Sequence, residues 1–121
     1  MRIIRIDDDG KDTIINLAPL EFESCVNSEI GGEYRMINGD DHLMFDGTIL
    51  IFDRRDFSGL KPNPVASFLN LDAVSGRNIY GPAILAKLGK IDAVYGICDF
   101  EDQELKHLLT LIKETRDMIY G

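Results

Sequence analysis

The segments Gly59-Leu60-Lys61-Pro62-Asn63-Pro64 and Ile79-Tyr80-Gly81-Pro82-Ala83 restrict this chain more than any other stretch, because proline and glycine narrow the backbone choices on either side. Pro62 pushes Lys61 into extended backbone and Pro64 does the same to Asn63, while Asn63 suits a helix N-cap and Pro64 the first helical position. A short helix is therefore expected over Val65 to Leu69. Pro82 has no amide proton to give to a ladder, which places its strand at an edge or a bulge.

Hydropathy patterning supplies the elements around these landmarks. Ile3-Ile4-Arg5-Ile6, then Asp7-Asp8-Asp9-Gly10, then Thr13-Ile14-Ile15-Asn16-Leu17 reads as a hairpin with a solvated turn. Leu20 to Ile30 has helical spacing through Leu20, Phe22, Val26 and Ile30, with Pro19 early in the helix and Gly31-Gly32 stopping it. Glu33 to Ile37, Leu43 to Phe45 and Thr48 to Asp53 read as strands, with turn chemistry at Asn38-Gly39-Asp40-Asp41 and Asp46-Gly47. Asp72 to Asn78 is polar connection. Ile79 to Leu88 and Ile91 to Phe100 are two apolar strands joined at Gly89-Lys90. The last segment is a long helix with Leu105, Leu108, Leu109, Ile112 and Ile119 largely on one face and Asp102 as cap. The fold class expected is α+β, a mainly antiparallel sheet with helices packed on one face and a long C-terminal helix.

With 121 residues, 45% of them hydrophobic, residues 1–121 fit a single domain with one core. Lys and Arg total 13 against 21 Asp and Glu, and the net charge of −8 opposes direct nucleic-acid binding and favours a basic protein surface as partner. Cys25 and Cys98 lack a short-spaced partner, so reduced, buried thiols are expected. The first residues alternate like a strand and lack the apolar core of a signal peptide, and no run approaches the ~20 apolar residues of a membrane span. A cytoplasmic location away from membranes follows as an expectation.

A catalytic set is missing from the motifs. His42 and His107 are the two neutral-pH proton carriers, and no Gly-x-Ser-x-Gly elbow, phosphate-binding Gly-Lys-Ser/Thr loop or Cys-x-x-Cys pair is present. Asp7 to Asp9 lacks the later ligands of a calcium loop, so neither metal nor cofactor is expected. The best lead is the backbone landmarks: a capped helix start at Asn63 beside Tyr80 and Gly81 offers amides to an anion, and Arg54, Arg55 and Arg77 add charge. The competing reading is a closed structural junction.

With Ile30-Gly31-Gly32-Glu33-Tyr34 and Gly96-Ile97-Cys98-Asp99-Phe100 in the same order, the motif pair resembles a domain of unknown function in small phage, plasmid and conjugative-element proteins of gut Firmicutes. The resemblance spans roughly Ile3 to Leu109. It implies a mobile-element setting but no reaction, and together with the charge of −8, the missing catalytic set and the Pro82 strand it leads us to expect a non-catalytic binding or regulatory protein, one that inhibits a host defence protein through an acidic surface or an edge strand. The alternative is sequestration of a small linear or cyclic nucleotide without turnover, held by Asn63, Tyr80 and the arginines. A third reading, an enzyme assembled across an oligomer interface from His42, Cys25 and Asp40, has least support, and a homodimer stays open.

Overall fold

The computed structural model describes residues 1–31, 33–38, 47–53, 59–69, 79–91 and 94–121. Six strands, β1 (Arg2–Ile6), β2 (Asp12–Asn16), β3 (Tyr34–Asn38), β4 (Thr48–Asp53), β5 (Ala83–Ile91) and β6 (Val94–Cys98), join in one antiparallel sheet. Their order is β2-β1-β5-β4-β3, and β6 also pairs with β5. The helices are α1 (Phe22–Glu29), α2 (Pro64–Leu69) and α3 (Asp102–Tyr120). The α+β class and the long terminal helix match the expectation from sequence.

Strand alternation sorts the apolar side chains onto two faces. Ile4, Ile6, Leu50, Phe52, Ala83 and Leu85 pack beneath α2 and α3, against Val65, Leu69, Leu108 and Ile112. Ile3, Ile49, Ile51, Ile84 and Ala86 face the other way, where Phe22, Val26 and Ile30 cover them. Helices thus lie on both faces and not on one as expected from sequence, because both sides of the alternating strands are apolar: α2 and α3 share one face, and α1 takes the other. Every residue of β4 is buried, as a strand covered on both faces must be.

The β1–β2 hairpin forms as expected, with Ile4 opposite Ile14. Its turn is closed by the Gly10 amide on the Asp7 carbonyl at 2.9 Å and the Asp7 amide on the Lys11 carbonyl at 2.8 Å. Gly10 takes φ +87° there, and a Cβ would press on Val65 and on the α3 side chains Arg116 and Tyr120 at 3.1 to 3.3 Å. The turn is therefore tucked under the end of α3.

Four boundaries differ from the sequence reading. β5 is interior, paired with β1, β4 and β6, so Pro82 does not mark an edge strand; it sits immediately before the ladder, where its missing amide costs no strand bond. Gly89 and Lys90 lie inside β5 and are not a turn. Gly89 pairs with Gly96, and a Cβ on it would meet the Cys98 sulfur at 2.6 Å, so this glycine makes room for a neighbouring strand's side chain. The helix expected from Leu20 begins instead as a 3-10 turn over Pro19–Glu21, which leaves Leu20 97% exposed. Asp102 is the first residue of α3, and Glu101, in extended backbone, is its N-cap. The expected strand at Leu43 to Phe45, the turns at 38–41 and 46–47 apart from Asn38 and Gly47, and the connection at 72–78 lie outside the described residues.

Candidate functional site: the free edge at β2

The Asn63 region is a closed junction. Asn63 is fully buried. Its Nδ2 donates to the carbonyls of Ile6 at 3.0 Å and Gly81 at 2.8 Å, and its Oδ1 accepts the Ala66 amide at 3.1 Å as the expected N-cap of α2. Its backbone amide donates to the Ile79 carbonyl at 2.7 Å, and the Gly81 amide donates to the Lys61 carbonyl at 2.7 Å. Pro62 and Tyr80 form an antiparallel bridge between the two landmark segments. Gly81 takes φ +74° with Leu60 packed where a Cβ would stand. Of the six residues singled out in the sequence, the structure brings Asn63, Tyr80 and Gly81 together here, with every Asn63 side-chain group turned inward. Arg54, Arg55 and Arg77 lie outside the described residues, as do His42 and Asp40.

The thiols are half-buried, not buried as expected, and both are free. Burial raises the Cys25 thiol above its ordinary value and Glu29 adds to this, outweighing Arg5, which is engaged by Glu29 at 2.7 Å. Burial likewise raises Cys98 against the opposing pull of Lys87. The surroundings of both thiols thus disfavour the thiolate. Among the described residues no group of His, Cys, Asp and Glu converges as a metal centre.

Groups that do face solvent with room beside them converge on β2. Among the described residues β2 pairs only with β1, so no described strand lies along its outer edge; β3 ends the sheet path on the other side. The central residues Thr13, Ile14 and Ile15 carry no charge, and Ile14 is 45% exposed. Edge strands of this kind are normally guarded by a lysine, a proline or a bulge. Both faces of the edge carry a hollow.

On the α3 face the hollow holds about 420 Å³ and is lined by Asp12 of β2 and by Leu105, Lys106, Leu109, Lys113 and Arg116 of α3, among others. The helix is held over the hairpin at both ends. Arg2 binds Asp99 at 3.0 Å and Asp102 at 2.9 Å, which also holds the Asp99 carboxyl below its usual range, and Arg116 binds Asp12 at 3.0 Å and the Gly10 carbonyl at 3.1 Å. Of the two acids lining the hollow, Asp12 is paired with Arg116, while the largely exposed Asp102 shares Arg2 with Asp99. Lys106 and Lys113 have no ion-pair partner among the described residues, so the rim is locally basic on an acidic protein.

On the opposite face a hollow of about 530 Å³ lies between β2 and α1, lined chiefly by Ile15, Leu17, Leu20, Ser24, Cys25 and Ser28. Its one charged residue is Glu21, whose Oε1 accepts the Ala18 amide at 2.9 Å. No family model, curated protein or solved structure matches the chain. The site therefore stands on its geometry.

Sequence reading passed over Ile14, Leu20, Lys106 and Lys113. The uncharged centre of β2 was a usable signal for an unguarded edge. That β2 would be terminal, and that α3 would lie beside it, was set by strand order.

Proposed function

We propose that this chain is a non-catalytic protein-binding module that takes an extended segment of a partner onto β2 by strand addition. The observation that carries the reading is a terminal strand with no partner on its outer side among the described residues, an uncharged centre at Thr13 to Ile15 and a hollow on each face. Main-chain hydrogen bonds along β2 supply affinity, and the hollows supply side-chain selection. The contact is moved from the Pro82 strand, whose both sides are occupied, to β2. In the mobile-element setting that the resemblance implies, the partner is a host protein and the module acts by occupying it. The nucleotide reading draws no support from Asn63, all of whose side-chain groups are spent on the fold.

A photo-crosslinking residue at Ile14 tests this. In bacterial lysate it is expected to yield a discrete protein adduct that is absent when the same residue replaces the exposed Asn27 of α1 and is suppressed by Ile14→Lys introduced beside a crosslinker at Thr13. Equal labelling from Asn27 and Ile14, or none from Ile14, removes the reading.

A further inference from the structure

We infer that the segment taken up at β2 alternates glutamate with aliphatic residues, glutamates toward α3 and aliphatic side chains toward α1. The inference rests on the strand-addition reading and adds the chemistry of the partner. A strand laid against β2 sends successive side chains to opposite faces of the sheet, so the two hollows read alternate positions of the added segment. Ile4 and Ile14 are opposite one another in the ladder and Ile4 packs beneath α3, so the Asp12, Ile14 and Asn16 side of β2 is the α3 face. The Ile15 side belongs with Phe22 and Val26, the α1 face.

The two hollows differ in chemistry. Toward α3 the floor is Leu105 and Leu109, and the free charges are Lys106 and Lys113, since Arg116 is bound to Asp12. A glutamate suits this better than an aspartate: its methylenes cover the leucines and its carboxylate reaches the ammonium groups. Toward α1 the free surface is Leu20, 97% exposed, with Ile15 and the small polar Ser24 and Ser28; the one charged residue lining the hollow is Glu21, and the nearby Arg5 is paired with Glu29. An acidic side chain is repelled there and an aliphatic one covers Leu20. The same acid placed one position out of phase meets Glu21 in place of Lys106 and Lys113, so register is selected as well as composition.

The test uses short synthetic peptides with a fluorescent label, measured by anisotropy at low salt. A peptide alternating glutamate and valine is expected to bind, with affinity falling as salt rises. A peptide of the same composition with its glutamates and valines in separate blocks, and one alternating lysine and valine, are expected to bind at least about tenfold more weakly. Lys106→Glu with Lys113→Glu is expected to weaken the alternating acidic peptide about tenfold. These lysines are exposed, so circular dichroism should show an unchanged fold. Leu20→Lys should weaken the same peptide.

Failure of the acidic peptide to bind, equal binding of the block peptide, or indifference to the lysine reversals overturns the inference. Stronger binding of the lysine peptide, crosslinked through Ile14, overturns it while leaving strand addition at β2 in place. A dimer in sedimentation that Ile14→Lys dissociates and the acidic peptide does not makes the occupant a second copy of this chain, and overturns it too.

Discussion

Asn63 shows how much of this fold hangs on one side chain. It is buried without exposure, and its three side-chain hydrogen bonds join β1 at Ile6, the turn at Gly81 and the start of α2. Asn63→Ala removes the helix cap and strands two buried carbonyls, so we expect a loss of about 3 kcal/mol in urea unfolding. A loss under about 1 kcal/mol would mean that water replaces the amide and that the junction is open. Gly89 makes a second residue-scale case. Gly89→Ala sets a Cβ against the Cys98 sulfur and should cost about 1–3 kcal/mol, most of which Cys98→Ala in the same chain should recover. If the double variant is no more stable than the single one, the contact is not what requires glycine.

At the scale of elements, α3 is fastened to the sheet through its first turn. The Glu104 Oε1 accepts the Glu101 amide at 3.0 Å, and its Oε2 pairs with the Lys87 ammonium on β5. Burial alone would raise the Glu104 carboxyl, but the hydrogen bonds from Lys87 and the Glu101 amide outweigh it and hold the group below the ordinary glutamate value. A carboxyl whose folded value lies under its unfolded one contributes its full stability above the unfolded value and loses it as pH falls through the folded one. Urea midpoints should therefore drop as pH is lowered past the ordinary glutamate range, and Glu104→Gln, less stable at neutral pH, should show a shallower acid slope. An unchanged slope would separate Glu104 from acid sensitivity. Element types were mostly legible in the sequence, because alternation in Ile3 to Ile6 and helical spacing in Leu105 to Ile112 are local patterns. Boundaries were less so. Gly89-Lys90 has turn chemistry on its own, and only the sulfur of Cys98 across the ladder explains why a glycine stands mid-strand.

For the whole molecule, the arrangement of strands decides what is available to a partner. Because β5 is held by β1, β4 and β6, the segment that looked like an edge in sequence is enclosed, and among the described strands β2 and β3 end the sheet, β2 being the one flanked by a hollow on each face. Ile14→Lys acts on that edge alone. Ile14 is already 45% exposed, so the melting temperature should stay within a degree or two, roughly the range of a neutral surface change, while the Ile14-dependent adduct is lost. A large drop in melting temperature would make Ile14 part of the core and remove it as a docking residue. The sequence by itself determined the class of fold, the β1–β2 hairpin, the capped start of α2 and the amphipathic α3, since each depends on neighbours within a few positions. The tertiary structure alone decided that Asn63 is sealed, that β2 is terminal, and that Lys106 and Lys113 stand beside it. Strand order and the pairing of charges are long-range outcomes, settled by which apolar faces bury one another and not by any local pattern.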